Sequence, residues 1–199
     1  MIRNVVLDMG NVMLDYNPER YLETYIEREE DRPLVKAELF GAVEWTMCDY
    51  GTGDDEGLIA AACRHLPERL HPQVEKLVRG WYYDMPAYPE MGEKIGELLD
   101  KGYRLYVLSN VNRHYDVMRR NIPHLDRFSG EFVSYQWKLI KPEPAIFSAF
   151  CQHFNLVPAE CLFIDDRQDN VLGAMRVGMN GMVYHGDPAR IDEKLEELK

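Results

Sequence analysis

The sequence has few cysteines and no long apolar run, and both shortages limit what the protein can be. Cys48, Cys63, Cys151 and Cys161 are its only cysteines, and they form no CxxC pair and no metal-type spacing with histidine. This usage is typical of free thiols in a reducing compartment and argues against a disulfide scaffold. No run approaches the roughly 18 apolar residues of a membrane span, and the short run before Asp8 is unlike a signal peptide. We therefore expect a cytoplasmic protein.

Positive charge is also scarce. The 199 residues include 23 lysines and arginines against 34 aspartates and glutamates, which gives a formal net charge of −11. A chain this acidic repels phosphate backbones and anionic lipid, so we expect neither nucleic acid nor a membrane as a partner. Nothing in the sequence predicts a protein partner. The hydrophobic fraction of 46% is too high for a disordered chain, and the length suffices to bury a sizeable core.

Short apolar runs alternate with helical patterns through much of the chain. The runs that predict buried strands cover residues 5–7, 103–108 and 161–164, with weaker ones at 131–135 and 182–184. The helical patterns between them cover residues 91–101, 142–154 and 168–177. This alternation predicts an α/β fold, a Rossmann-like parallel sheet with helices on both faces.

Residues 16–87 differ from the rest of the chain, since they contain helical patterns and no convincing strand. These patterns cover residues 18–28, 32–40, 54–65 and 72–83. Asp54 follows a glycine-containing turn and is predicted to cap the third helix of this block. We predict a helical domain at residues 16–87, inserted into an α/β core made of residues 1–15 and 88–199.

Polar side chains follow the predicted strands or their loops. They are Asp8, Ser109, Lys141 and the pair Asp165–Asp166. In an open α/β sheet, ligands bind in the crevice outside the carboxyl ends of the strands. One aspartate can attack phosphorus, and a second can share a Mg²⁺ ion with it. A lysine and a serine can hold the phosphate, so the pattern predicts phosphoryl chemistry.

The four segments that carry these groups resemble, in order and spacing, the motifs of the haloacid dehalogenase superfamily. They are Asp8-Met9-Gly10-Asn11-Val12, Leu108-Ser109-Asn110, Lys141-Pro142 and Ile164-Asp165-Asp166. The helical block lies where that superfamily places its C1 cap. In detail the motifs are similar to a bacterial branch that includes the α-D-glucose-1-phosphate phosphatase. The resemblance implies a Mg²⁺-dependent phosphatase that hydrolyses a small phosphorylated metabolite, such as a sugar 1-phosphate, through an aspartyl-phosphate.

The resemblance also implies which residues hold the metal. Asp8 would be both the nucleophile and a Mg²⁺ ligand, and the backbone carbonyl of Gly10 would be a second ligand. Asp166 would be the third protein ligand. Asp165 and Asn170 would support the metal site without binding the ion directly.

The phosphate-binding residues are implied in the same way. Ser109 would hold the transferring phosphoryl group, and Lys141 would neutralise its charge. Asn110, Gly10 and Asn11 would contribute to substrate binding.

One position departs from the common pattern of the superfamily. Its phosphatases usually carry a second aspartate two residues after the nucleophile, which acts as general acid and base. Gly10 occupies that position here and has no side chain that could transfer a proton. Without another acid, the leaving oxygen would depart nearly as an anion. A sugar 1-phosphate is then favoured over a 6-phosphate, because a hemiacetal oxygen is more acidic than a primary alcohol.

Three other functions fit parts of the pattern. A 2-haloacid dehalogenase would use Asp8 on carbon without a metal, but such sequences do not usually carry an acidic pair like Asp165–Asp166. A non-catalytic scaffold of the same fold would be consistent with the loss of the acid at Gly10. A receiver-type signalling domain also uses aspartates, a hydroxyl and a lysine, but its acidic pair follows the first strand, the reverse of the order found here.

Overall fold

Five short strands form one parallel sheet in the computed structural model, which describes all residues from 1 to 199. The strands are β1 Asn4–Leu7, β2 Arg104–Ser109, β3 Gly130–Val133, β4 Cys161–Asp165 and β5 Asn180–Val183. Their order across the sheet is β3-β2-β1-β4-β5, and every neighbouring pair is parallel. The predicted α/β fold with a parallel sheet is therefore confirmed.

Helices occupy most of the chain between the strands. They are α1 Pro18–Tyr25, α2 Arg32–Leu39, α3 Val43–Asp49, α4 Asp55–Cys63, α5 His71–Val78, α6 Pro89–Asp100, α7 Tyr115–Met118, α8 Ser134–Trp137, α9 Pro144–His153, α10 Gln168–Arg176 and α11 Ala189–Glu197. None of them has both the length and the apolar character that crossing a bilayer requires. The first six lie in sequence between β1 and β2, and α1 to α5 form a helical insertion that precedes α6.

Several sequence-based boundaries differ from the structure, and the helix expected at 18–28 ends at Tyr25. The strand expected at 131–135 ends at Val133, because Ser134 begins the short helix α8. The strand expected at 182–184 lies earlier, at 180–183, and its residues are only half-buried because β5 forms an edge of the sheet. The helix expected at 72–83 ends at Val78, and Gly80 separates it from a short 3₁₀ turn. Glycine disfavours helix continuation because it loses the most backbone freedom.

The register of the central strands brings the polar segments to one edge. Leu7 in β1 lies opposite Val107 in β2 and Ile164 in β4. Since the strands are parallel, the residues that follow these partners leave the sheet on the same side. Asp8 and Asp165 therefore emerge next to each other.

The helical insertion begins and ends at neighbouring points of the fold. Leu14 forms an antiparallel bridge with Ala87, and the N–H of Tyr88 donates to the carbonyl of Met13 at 3.0 Å. The predicted cap of α4 is confirmed, because the Asp54 carboxylate accepts a hydrogen bond from the backbone N–H of Gly57 at 2.8 Å. The chain thus leaves the sheet and returns to it along a short paired segment.

Candidate active site

Asp8 follows β1 directly and is 8% exposed. Its backbone N–H donates to the carbonyl of Ile164 at 3.0 Å, and its Oδ1 accepts a hydrogen bond from the N–H of Met9 at 2.7 Å. Burial raises the pKa of Asp8 to about 7; the Lys141 ammonium opposes this rise, and the charge of Asp165 adds to it. Asp8 is therefore a buried carboxylate that gains or loses its proton near neutral pH in the metal-free protein.

Lys141 is the positive charge of the site and is 4% exposed. Its Nζ lies 2.8 Å from Oδ1 of Asp8 and 2.6 Å from Oδ2 of Asp165, and it donates to the carbonyl of Leu108 at 3.1 Å. These three partners use all three donors of the ammonium group. Burial would lower the pKa of Lys141, but the charges of Asp8 and Asp165 outweigh burial and raise it. The lysine therefore stays charged.

The side chain of Asn110 fixes the backbone at Lys141. Its Nδ2 donates to the Lys141 carbonyl at 2.9 Å, and its Oδ1 accepts from the Lys141 N–H at 2.8 Å. Ser109, the last residue of β2, is 2% exposed, and its hydroxyl lowers the pKa of Asp8 by hydrogen bonding. Sequence reasoning assigns Asn110 to substrate binding and does not predict this link to the lysine loop.

Asp165 is fully buried at the end of β4 and accepts hydrogen bonds on both carboxylate oxygens. Besides Lys141, its donors are Nδ2 of Asn170, at 2.9 and 3.1 Å from the two oxygens, and the N–H of Arg167 at 2.9 Å. This carboxylate is engaged on all sides by donors from the protein. Its geometry suits holding Lys141 in place.

Asp166 is placed differently from its neighbour. It is half-buried, and its Oδ2 accepts a hydrogen bond from Nδ2 of Asn11 at 3.1 Å. Asn11 has φ +57°, a left-handed conformation that asparagine tolerates better than most residues. Burial raises the pKa of Asp166, and the Asn11 amide opposes that rise. Asp166 therefore has more unused acceptor capacity than Asp165.

The residues fit a divalent cation. Carboxylate oxygens of Asp8, Asp165 and Asp166 all lie within 4.8 Å of one another, and the ammonium of Lys141 pairs with two of these three carboxylates. The cluster thus keeps an excess of negative charge when ionised. Mg²⁺ prefers oxygen ligands and binds through one or two carboxylates. Since protein donors engage Asp165, the carboxylates suited to the ion are Asp8 and Asp166.

Sequence reasoning missed Asp49, the last residue of α3. The residue is half-buried, and its carboxylate takes no part in any hydrogen bond or ion pair of the structure. Burial raises the pKa of Asp49 to about 7, and the charge of Asp8 adds to the rise. The Asp49 carboxyl group is therefore within electrostatic reach of Asp8, although 41 positions separate the two in the sequence.

Tyr16 covers Gly10 from the side of the insertion. A Cβ atom at Gly10 would lie 3.4 Å from Cβ of Tyr16. The Tyr16 ring packs edge-on against the rings of Tyr21 and Trp81, with both centroids 5.9 Å away. Burial raises the pKa of Tyr16, and Asp49 adds to this effect. Tyr16 and Asp49, both in the insertion, thus lie within electrostatic reach of each other.

Comparison with known proteins decides the family. A family model described as a haloacid dehalogenase-like hydrolase matches residues 2–178. The chain belongs to this family of hydrolases. The family resemblance of the four motifs is thereby confirmed, and so is the expectation that the protein is an enzyme.

Curated relatives of this haloacid dehalogenase-like hydrolase include phosphatases. It is 25% identical over 187 residues to the sesquiterpene phosphatase astK of Aspergillus oryzae, with 89% of this chain and 87% of that protein covered. It is 24% identical over 187 residues to the D-ribitol-5-phosphate phosphatase of Bacteroides thetaiotaomicron, with 86% of each covered.

Solved structures show the same fold. A haloacid dehalogenase family enzyme from Bacteroides thetaiotaomicron, in complex with magnesium and inorganic phosphate, matches with a TM-score of 0.70 and 22% identity, over 94% of this chain and 96% of that one. An L-2-haloacid dehalogenase from Xanthobacter autotrophicus matches with a TM-score of 0.64 and 18% identity, over 91% and 76% of the two chains. Since the fold is shared by both, the reaction has to be argued from the site.

Proposed function

We propose that this hydrolase is a Mg²⁺-dependent phosphatase that acts on a small phosphorylated metabolite through an aspartyl-phosphate on Asp8. One observation carries the proposal: the Lys141 ammonium lies 2.8 Å from Asp8, while the less engaged carboxylate of Asp166 lies within 4.8 Å of it. A nucleophile between a fixed cation and a second metal-binding carboxylate suits the transfer of a doubly charged phosphoryl group.

In the first step, a carboxylate oxygen of Asp8 attacks phosphorus and the bond to the metabolite oxygen breaks. The Lys141 ammonium and the Ser109 hydroxyl stabilise the charge on the phosphoryl oxygens. Asp165 keeps the ammonium in place. A magnesium ion held by Asp8 and Asp166, with the predicted Gly10 carbonyl, would withdraw negative charge from the same oxygens.

In the second step, water attacks the phosphorus of the aspartyl-phosphate, which releases inorganic phosphate and restores Asp8. We propose that residues 16–87 form a cap over a core of residues 1–15 and 88–199. The paired segment at Leu14 and Ala87 supports this division. The cap would exclude bulk water and large substrates. The motif resemblance supports a sugar phosphate, such as a sugar 1-phosphate, as the substrate class.

A 2-haloacid dehalogenase is the alternative within the same fold. It would also form an ester on Asp8, but it would displace halide from carbon and needs no metal. The partly free carboxylate of Asp166 beside Asp8 favours the phosphatase, because in a metal-free reaction its charge would stay uncompensated, would disfavour ionisation of Asp8 and would repel the carboxylate of a 2-haloacid.

The two reactions are separated by parallel assays of 4-nitrophenyl phosphate and 2-chloropropionate, with Mg²⁺ or with a chelator. We expect Mg²⁺-dependent release of 4-nitrophenol and no release of chloride. Asp8→Asn should lower kcat/KM by more than about 10³-fold, as the loss of a covalent nucleophile does. Glu193→Gln, on the exposed face of α11, is the matched control and should keep full activity. Chloride release without metal, or wild-type turnover by Asp8→Asn, would contradict the proposal.

A further inference from the structure

We propose that Asp49, at the end of α3 in the helical insertion, supplies the proton donor that is missing at Gly10. The inference rests on the proposed phosphatase function and deepens it. In this arrangement the nucleophile comes from the sheet, and the acid that protonates the leaving group comes from the insertion.

Tyr16, at the start of the helical insertion, fills the space beside Gly10. Cβ of Tyr16 lies 3.4 Å from the point that a Cβ atom on this glycine would occupy, and Asp49 is the acidic residue whose charge acts on Tyr16. The charge of Asp8 in turn raises the pKa of Asp49. The Asp49 carboxyl group therefore lies within electrostatic reach both of the nucleophile and of the tyrosine that covers Gly10.

A hydrogen bond from Ser134, the first residue of α8, holds the backbone of Asp49. The Ser134 hydroxyl donates to the Asp49 carbonyl at 2.6 Å, and the same oxygen accepts from the N–H of Val111 at 2.9 Å. Val111 lies two residues after Ser109 in the loop that follows β2. The end of α3 is thus linked through Ser134 to the loop that follows the phosphate-binding Ser109.

The turn that follows Asp49 is seated closely on the core. Gly51 has φ +75°, and a Cβ atom there would lie 2.1 Å from the backbone oxygen of Tyr135. Only glycine fits both this conformation and this approach. The contacts at Ser134 and at Tyr135 therefore fix the backbone from Asp49 to Gly51 against the core.

The chemical state of Asp49 suits a proton donor. Its carboxylate has no cation and no hydrogen-bond donor as a partner, and burial together with Asp8 raises its pKa to about 7. A general acid works best when its pKa lies near the working pH. A carboxyl group kept only to stabilise the fold would instead be expected to accept hydrogen bonds when half-buried.

Each of the two steps includes one proton transfer that involves the Asp49 carboxyl group. When Asp8 forms its bond to phosphorus, the electron pair of the broken bond goes to the metabolite oxygen, which takes the proton of Asp49 and leaves as an alcohol. The Asp49 carboxylate then takes a proton from the attacking water, whose oxygen bonds to phosphorus. The bond between phosphorus and Asp8 breaks, so phosphate is released and both carboxyl groups return to their starting states.

The test compares Asp49→Asn with the wild type on two substrates of similar shape, 4-nitrophenyl phosphate and phenyl phosphate. Phenol is the poorer leaving group and depends more on a proton donor. General acid catalysis is typically worth roughly 10²–10⁴-fold, so we expect kcat/KM to fall about 10²-fold or more for phenyl phosphate. For 4-nitrophenyl phosphate the fall should be less than about 10-fold. The ratio kcat/KM is used because it reports the first step alone.

Glu44→Gln is the matched control, since it removes a carboxylate from the same helix where Glu44 pairs with Arg64 on the surface. It should leave both values unchanged, and Asp49→Glu should recover part of the phenyl phosphate activity. Equal losses on the two substrates would indicate a role in folding or cap position and would overturn the inference, as would no loss at all. A wild-type enzyme inactive on both substrates would overturn the phosphatase proposal itself.

Discussion

Replacing Asp8 by asparagine should make the metal-free protein more stable while it removes the nucleophile. Asparagine keeps the shape of the side chain and carries no charge. In the wild type, burial and Asp165 work against the ionised form of Asp8, and Lys141 compensates only part of this cost. The Asp8→Asn variant avoids the cost and leaves Lys141 paired with Asp165 at 2.6 Å.

The size of the effect follows from the shift of the Asp8 pKa from 3.8 to about 7. Each unit of pKa corresponds to about 1.4 kcal/mol, so full ionisation of Asp8 lowers the free energy of unfolding by about 4 kcal/mol. We expect Asp8→Asn to recover roughly 2–4 kcal/mol at pH 8, because the amide keeps only some of the hydrogen bonds. For a chain of this length that is a rise in Tm of roughly 5–15 °C.

The stability that Asp8→Asn gains over the wild type should increase with pH. Below the ordinary pKa of an aspartate, the folded and unfolded states both carry the proton, and the variant has no advantage. As the pH rises from there to about 7, the folded wild type holds a proton that the unfolded chain has lost, so its stability falls. The difference in the free energy of unfolding between variant and wild type should grow as the pH rises through this range and should stay constant above it.

Urea denaturation in a chelator-containing buffer at several pH values measures the effect. Asp31→Asn is a control whose expected change in stability has the opposite sign, because two hydrogen bonds from Arg69 lower the pKa of Asp31. That variant should lose stability at neutral pH, and the loss should vanish as the pH falls through the lowered pKa. If Asp8→Asn is no more stable than the wild type at pH 8, or if its gain is the same at low and high pH, the electrostatic reasoning is wrong.

Two further predictions separate the neighbouring acidic residues. Asp166→Asn should raise the Kd for Mg²⁺ by about 10-fold or more in calorimetric titrations with little change in stability, because Asp166 has few protein partners. Asp165→Asn should mainly reduce stability, by roughly 3 kcal/mol in urea denaturation, because it removes a charge that pairs with the buried Lys141. The reverse pattern would exchange the roles of the two residues.

The central sheet was predictable because its strands are covered on both faces. Val5, Val6 and Leu7 are all fully buried, and such a strand produces a continuous apolar run in the sequence. The helix α3 was not predictable, since its pattern contradicts its environment. Val43 and Met47 are 66% and 41% exposed, while Cys48 is buried. An amphipathic pattern is absent there, and the sequence offered no reason to place Asp49 near the site.

The candidate site was predictable to the extent that it depends on strand ends. Asp8, Ser109 and Asp165 follow from the register of parallel strands. The contacts of Asn110 with Lys141 and of Ser134 with Asp49 join segments 31 and 85 residues apart. Contacts of this kind depend on how loops pack in three dimensions, and no local pattern indicates them.

The central claim is that Asp8 carries the phosphoryl group during turnover. Mixing the enzyme with 4-nitrophenyl phosphate and Mg²⁺, quenching in acid and digesting the protein for mass spectrometry tests this directly. We predict a phosphoryl group on the peptide that contains Asp8, absent when Mg²⁺ is chelated and absent in Asp8→Asn. Phosphate release without any modification of this peptide, or a phosphoryl group found on another residue, would contradict the account.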